Sequence, residues 1–235
     1  MFNYGTNEGI LKNVPITAVL GDQQASLFGQ NCIASGDVKN TYGTGCFALT
    51  NTGSDIVHSN NGLLSTVAYQ KDGDKPQYAI EGSVSIAGAA VQWLRDNLNI
   101  IKESSEVEAL AMAEKDNGDV YFVPAFSGLF SPHWDETARG VLVGLSRFSN
   151  KSHIARAVLE SVAYQSNELL ESMEKDIGIT FESVNVDGGM VVNNLLMQFQ
   201  SDIFNKKVIS QEINEITALG AGAASFLFIN NLPLE

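Results

Sequence analysis

The chain of 235 residues is long enough to bury a core, and its 44% hydrophobic and 17% charged residues are typical of globular proteins. A net charge of −13 repels nucleic-acid phosphates and anionic lipids, which argues against nucleic acid and membrane as partners. No apolar run reaches the roughly 18 residues of a membrane helix, and the two cysteines, Cys32 and Cys46, indicate a reducing, cytoplasmic compartment.

The first part of the chain is predicted to be rich in β-strands. A hydrophobic strand at residues 16–20 leads into a helix that begins around Gly21-Asp22. Alternating β-prone residues and the turn signal Asp72-Gly73 then predict three consecutive antiparallel strands. These strands are predicted at residues 38–50, 63–70 and 77–81.

Helical periodicity dominates the rest of the chain. Ile154, Val158 and Val162 fall on one face of the longest predicted helix, which Gly178 is placed to end. Antiparallel strands followed by alternating helices and strands predict an α/β fold with a mixed β-sheet flanked by helices. The predicted helices are 83–97, 104–114, 152–175, 192–204 and 216–228, and the predicted strands are 120–123 (buried), 184–186 and 207–209, with a long functional loop at 125–147.

Asp22 follows a predicted strand and opens a helix, which allows two interpretations. Asp is among the best helix N-caps, so a capping role alone would account for this residue. A carboxylate at a strand end, ionised near pH 7, can also accept a proton from a substrate hydroxyl. Gln23 beside it can donate or accept hydrogen bonds with a polyol. The residues themselves leave both interpretations open.

Two further segments combine glycines with polar side chains. Thr44 lies between Gly43 and Gly45, so a ligand could approach the backbone and meet the hydroxyl, although a bulged hairpin explains the same pattern. Gly88 and Gln92 are four residues apart and share one helix face, where the glycine could admit a ligand that the glutamine bonds. Close helix packing at Gly88 with a solvated Gln92 is the alternative.

A fourth segment places glycines between a strand and a helix. Asp187-Gly188-Gly189 follows the predicted strand, and backbone N–H groups at a helix start can bind anions or polar rings. Asn193, four residues past Gly189, could lie over the same ligand. A tight turn followed by an Asn cap is the alternative, and the sequence does not decide between the two.

Other catalytic patterns are missing from the sequence. His58, His133 and His153 share no metal-ligand spacing, so no metal ligands are predicted. There is no phosphate-loop, dinucleotide-binding or serine-hydrolase motif. The sequence therefore offers no support for a phosphate-loop NTPase, a Rossmann dehydrogenase or a serine hydrolase.

The order of these segments along one chain resembles the glycerol kinases of the FGGY carbohydrate-kinase family. The resemblance covers nearly the whole chain, and its most specific parts are Gly-Asp-Gln-Gln at 21–24 and Gly-Thr-Gly-Cys-Phe at 43–47. It implies a ribonuclease H-like, actin-type ATPase fold and the ATP-dependent phosphorylation of glycerol. The other matching segments are 81–96, 124–135, 138–140, 159–165, 187–189 and 217–221.

The resemblance also implies roles for individual residues. Asp22 would be the general base that deprotonates the glycerol hydroxyl, Gln23 a glycerol contact, and Phe47 the apolar wall of that pocket. Thr44 would contact phosphate. The implied ATP contacts are Gly88, Gln92, Gly189 and Asn193.

The same resemblance implies a part that the chain lacks. Family members carry an N-terminal domain with a phosphate-gripping loop, a Mg²⁺-linked Asp and most polyol contacts. Residues 1–235 are therefore expected to be the C-terminal nucleotide-binding domain, which needs that N-terminal domain as partner and ATP and Mg²⁺ as cofactors. The full-length protein is expected to be a homo-oligomer. Two alternatives stay open. The protein could be a kinase for another sugar or polyol, or it could be a nucleotide-binding module without catalysis.

Overall fold

The computed structural model describes residues 1–213 and 215–233. In this part of the chain, strands alternate with helices after an antiparallel start, as the sequence predicts. The helices are α1 Asp22–Gly29, α2 Gly88–Asp96, α3 Glu106–Ala111, α4 Lys151–Ile177, α5 Asn194–Phe204 and α6 Ile216–Ile229. The strands are β1 Val38–Tyr42, β2 Cys46–Gly53, β3 Leu64–Tyr69, β4 Gln77–Val84, β5 Tyr121–Val123, β6 Val141–Val143, β7 Ser183–Asp187 and β8 Lys207–Ser210.

A mixed sheet of six strands forms the centre of the fold, in the order β3-β4-β2-β1-β7-β8. Strands β1 to β4 are antiparallel, whereas β7 pairs in parallel with both β1 and β8. The mixed sheet flanked by helices is therefore confirmed. The antiparallel part has four strands rather than the predicted three, because the turn Gly43-Thr44-Gly45 divides segment 38–50 into β1 and β2.

The two faces of the sheet are covered by different helices. Alternate residues such as Tyr42, Ala48 and Ile80 pack under α4 and α5. The opposite face carries Leu49 and Ala79, which pack with residues of α1 and α6. Because side chains alternate along a strand, Lys39, Thr41, Phe47, Glu81 and Asp187 belong to this second face.

Helix α4 connects two apolar clusters. Its first half contributes Val158 and Leu159 to a cluster with α2, α3 and β5. Its second half contributes Leu169 and Met173 to the cluster under the central sheet. The Asn150 side chain caps the helix by accepting the N–H groups of residues 152 and 153, and the left-handed Gly178 ends it, as predicted.

Two predicted elements are wrong at the start of the chain and around Ser83. Residues 16–20 form no strand, because the sheet ends at β3 and β8 and this segment instead runs beside α6, where Thr17 and Ser225 share a hydroxyl hydrogen bond. The predicted helix 83–97 begins only at Gly88. Ser83 and Val84 end β4, because their backbone pairs with β2.

The segment around residues 120–147 also differs from the prediction. Strand β5 lies outside the central sheet and pairs with β6, which falls inside the predicted loop 125–147. Of the three residues in β5, only Phe122 is buried. A two-stranded ribbon covered on one side leaves alternate residues exposed, so the predicted buried strand is wrong for Tyr121 and Val123.

Candidate active site

A cavity of about 550 Å³ opens where three turns of the fold meet. One turn joins β1 to β2, the second precedes α2, and the third joins β7 to α5. The structure brings all five predicted nucleotide contacts to this cavity: Thr44, Gly88, Gln92, Gly189 and Asn193. Residues that lie up to about 150 positions apart in sequence thus line one space.

Backbone hydrogen bonds hold the three turns together. The N–H of Gly88 donates to the Gly43 carbonyl at 3.0 Å, and the N–H of Ala87 donates to the Thr44 carbonyl at 2.9 Å. A Cβ atom at Gly88 would lie 2.6 Å from the Gly43 oxygen, so a side chain there would push the turns apart. Gly88 therefore serves close packing, which the sequence left as an alternative, and it also lines the cavity.

The turn after β7 is longer than predicted. Helix α5 begins at Asn194 rather than 192, and Asn193 is its N-cap, accepting the Leu196 N–H on Oδ1 at 2.8 Å. The capping alternative for Asn193 is therefore confirmed. Its Nδ2 has no protein acceptor within the described residues, so the amide can still donate to a ligand in the cavity it lines.

The walls of the cavity combine apolar side chains with a few polar groups. The lining includes the apolar side chains of Val91, Leu159 and Met190 as well as Thr44 and the exposed Gln92. Gly189 lines the cavity, and a Cβ added there would meet no atom within 4 Å. Such a mixture is typical of small-molecule sites, where apolar side chains contact the body of the ligand and a few polar groups fix its orientation.

Asp22 lies outside the cavity, at the exposed start of α1. The N-cap position is Gly21, and Asp22 is the first helical residue, so the interpretation of Asp22 as N-cap is wrong. Its Oδ1 accepts the Gln23 N–H at 2.8 Å. The second carboxylate oxygen has no protein donor within the described residues, which leaves it available to a ligand.

Lys39 is a functional candidate that the sequence analysis missed. It is fully buried on the sheet face below α1. Its Nζ donates to Gln23 Oε1, to Thr41 Oγ1 at 2.9 Å and to the Phe47 carbonyl at 3.1 Å. One ammonium group therefore touches two of the three predicted acceptor-site residues. The available signal was a lysine near the start of a predicted strand, where the period of two places its side chain on the same face as Thr41.

A hydrogen-bond chain continues from Lys39 towards the turn that joins β7 to α5. Ser26 Oγ lies 3.3 Å from Thr41 Oγ1 and donates to Asp187 Oδ2 at 2.7 Å. Asp187 is the last residue of β7, directly before the turn with Gly188 and Gly189. Its Oδ1 is buried and has no partner among the described residues. The predicted acceptor side and the cavity are thus joined through β1 and β7.

Burial shifts the pKa values of two charged groups on this sheet face, Lys39 and Glu81. Burial lowers the pKa of Lys39 to about 8, although the nearby acidic groups, Asp187 first and then Glu81, oppose the change. Burial raises the pKa of Glu81, which the positive Lys39 partly offsets. Removing charged groups from water without close countercharges explains both directions.

The lowered pKa of Lys39 predicts a stability that rises with pH. Between about pH 8 and 10.5 the folded chain has released the proton that the unfolded chain keeps, so unfolding takes up a proton. We expect Lys39 to add about 3 kcal/mol to the unfolding free energy across this window. Urea unfolding at several pH values, compared between the chain and its Lys39→Met variant, measures this difference.

The comparison with Lys39→Met is needed because other buried groups lower the unfolding free energy as the pH rises, which is opposite to the effect of Lys39. Burial raises the pKa of Cys32 and of Cys46 to about 12, so their deprotonation favours the unfolded chain at high pH. These thiols are present in both proteins and largely cancel in the difference. An equal pH dependence in the chain and in Lys39→Met would contradict the assigned pKa of Lys39.

The described residues contain no group of three or more His, Cys, Asp or Glu side chains placed to hold a metal ion. Among the same residues, no helix has both the length and the apolar composition required to cross a membrane.

The sequence pattern of the FGGY family of carbohydrate kinases, C-terminal domain, matches residues 38–226. The chain belongs to this family. The matched residues contain the cavity and every sheet strand, so the mixed sheet and its flanking helices are the ribonuclease H-like, actin-type fold that the resemblance implied.

Relatives within the FGGY family include glycerol kinases. The glycerol kinase of Methylobacterium radiotolerans is 57% identical over 96% of this chain, and that of Brucella anthropi is 60% identical over 93%. A solved structure of Plasmodium falciparum glycerol kinase with ADP is 40% identical and covers 99% of this chain, with a TM-score of 0.90.

The chain spans about half the length of these FGGY relatives. It covers 45% of the Methylobacterium protein, 44% of the Brucella protein and 47% of the Plasmodium chain. The aligned part of each relative is therefore one portion of a longer enzyme.

Proposed function

We propose that the full-length protein containing this chain transfers the γ-phosphoryl group of ATP to glycerol, giving glycerol 3-phosphate and ADP. The observation that carries the proposal is the cavity where five predicted nucleotide contacts converge, joined by β1 and β7 to the sheet face with Gln23 and Phe47. The glycerol kinases that resemble this chain at 57% and 60% identity support glycerol as acceptor.

ATP would occupy the cavity. The apolar residues Val91, Leu159 and Met190 offer contacts to the adenine ring, and the amides of Gln92 and Asn193 offer hydrogen bonds at its edge. The Thr44 hydroxyl, on the turn between β1 and β2, would contact phosphate. This arrangement agrees with the ADP named in the structure of the Plasmodium relative.

Glycerol would lie at the start of α1. The exposed carboxylate of Asp22 would take the proton of a glycerol hydroxyl, whose oxygen attacks the γ-phosphorus as the bond to ADP breaks. Gln23 would hydrogen-bond a second hydroxyl, and the half-buried Phe47 would contact the carbon chain. Most of the rate enhancement in such transfers comes from positioning and charge stabilisation rather than from covalent chemistry.

Mg²⁺ normally accompanies ATP in phosphoryl transfer, where it neutralises phosphate charge. The described residues do not by themselves form a set of ligands for it. We propose that residues 1–235 are the C-terminal nucleotide-binding domain and that an N-terminal domain completes the metal and polyol sites.

An acceptor screen on the full-length protein tests the proposal. Coupled ADP release would be measured with glycerol, xylulose, gluconate and ribulose, and we expect a clear preference for glycerol. A preference for one of the sugars would overturn glycerol as substrate while leaving the kinase family intact. ADP binding without phosphorylation of any acceptor would instead favour a nucleotide-binding module.

The cavity makes a separate prediction for Gly189. Gly189 lines the cavity and no protein atom lies within 4 Å of the methyl group added in Gly189→Ala, so this group would compete for space with a nucleotide bound there. We expect ADP affinity to fall by about tenfold at unchanged stability. Gly222→Ala in α6 is the matched control, since its Cβ also meets nothing within 4 Å. Calorimetry that gives equal ADP affinities for both variants would place the nucleotide elsewhere.

A further inference from the structure

Lys39 has unusual surroundings for a fully buried lysine. Its three hydrogen bonds all go to neutral oxygens. No ion pair within 4.0 Å joins its ammonium to a carboxylate of the described residues. Burying an unpaired charge costs free energy, and an apolar residue of similar volume would usually be as stable or more stable. Fold stability therefore does not explain this lysine.

The position of Lys39 fixes the orientation of the Gln23 amide. An ammonium group only donates hydrogen bonds, so the side-chain atom of Gln23 that faces it must be the oxygen, Oε1. The NH₂ group of the same amide then points away from Lys39. It has no protein acceptor within the described residues, so Gln23 presents a free donor at the start of α1, beside Asp22.

The other two hydrogen bonds of Lys39 hold the same site together. Its bond to the Phe47 carbonyl fixes the strand that carries the proposed apolar wall. Its bond to Thr41 connects α1 and β2 to the chain of hydroxyls that reaches Asp187. A hydroxyl oxygen of a polyol is an acceptor, which matches the donor that this arrangement leaves on Gln23.

We infer that Lys39 is a positioning residue of the acceptor site, which orients Gln23 so that its NH₂ group donates to a hydroxyl of the acceptor. The inference rests on the proposed function. Lys39 acts through Gln23 and does not itself touch the substrate.

A double-mutant cycle in the full-length protein tests this inference. Lys39→Met should raise the KM for glycerol by about tenfold, the effect of losing one well-placed hydrogen bond, with the KM for ATP within about twofold. In a Gln23→Ala background the same Lys39→Met change should have no further effect on the glycerol KM, because the group that Lys39 orients is gone.

A second variant leaves the buried lysine in place and guards against misfolding of Lys39→Met. Gln23→Glu keeps an oxygen acceptor for Lys39 but has no NH₂ donor, so it should raise the glycerol KM by a similar factor. ADP affinity, measured by calorimetry, should stay unchanged in every variant because the cavity is intact.

Three results would overturn the inference. The first is that Lys39→Met changes the glycerol KM by the same factor with Gln23 present and in the Gln23→Ala background. The second is that Lys39→Met raises the KM for ATP in parallel, and the third is a normal glycerol KM in Gln23→Glu. Failure of the proposed function is a different result, since the unmodified protein would then not phosphorylate glycerol. If another polyol or sugar is the acceptor, the same cycle is measured with that acceptor.

Discussion

Replacing Asp22 by Asn in the full-length protein should lower the rate of phosphoryl transfer by about 10²–10⁴-fold, as expected for the loss of a positioned proton acceptor. The Asn side chain keeps an oxygen that can accept the Gln23 N–H, so the start of α1 should stay folded. The cavity does not include Asp22, so ADP affinity should be unchanged. The measurements are kcat at saturating glycerol and ATP, ADP calorimetry and urea unfolding.

Asp74→Asn is a suitable control for this experiment, because Asp74 is an exposed carboxylate in the turn between β3 and β4. It should leave kcat unchanged. Near-normal turnover in Asp22→Asn together with a destabilised Asp22→Ala would mean that the carboxylate only supports the helix start. A loss well below tenfold would rule out Asp22 as an essential base and would leave it a positioning role, which a loose transition state with little early proton removal allows.

The second large effect is expected at Gly220, where α6 crosses α1. A Cβ atom at this position would lie 1.8 Å from the Ala25 carbonyl oxygen and 2.7 Å from the Gly29 nitrogen. Both are backbone atoms, so Gly220→Ala can be accommodated only by moving the helices apart. We expect a loss of about 3 kcal/mol or more in the unfolding free energy. Urea unfolding of the chain measures it.

The control for Gly220→Ala lies two residues further along the same helix. Gly222→Ala meets no atom within 4 Å and should leave stability unchanged or raise it by up to about 1 kcal/mol, because Ala favours helix more than Gly. Similar stabilities for the two variants would contradict the close crossing. The crossing also positions the proposed acceptor site, because α1 carries Asp22 and Gln23.

The long elements could be predicted because their signals are local. Helix α4 has a sustained apolar period, a polar residue before it and a glycine after it, and the structure confirms each. The five nucleotide contacts could be predicted because short glycine-containing segments resemble a known family in order. Their convergence on one cavity depends on how β1, α2 and β7 pack, which spacing along the chain does not show.

The elements that were mispredicted were decided by partners distant in sequence. Ser83 and Val84 fit a helix by periodicity, but pairing with β2 makes them the end of a strand. Residues 16–20 have strand composition without a strand to pair with. Lys39 was missed for the same reason, because it is fully buried and its hydrogen-bond partners Gln23 and Phe47 lie on other elements.

Helix α4 has a consequence for how the chain unfolds. At 27 residues it is about 40 Å long, and its two halves belong to two separate apolar clusters. Neither cluster can open fully without breaking the hydrogen-bond ladder that both share, so the two should melt as one cooperative unit. Leu159, in the first half of this helix, also lines the cavity. A ligand bound there should therefore slow amide exchange along the whole helix, far beyond the residues it touches.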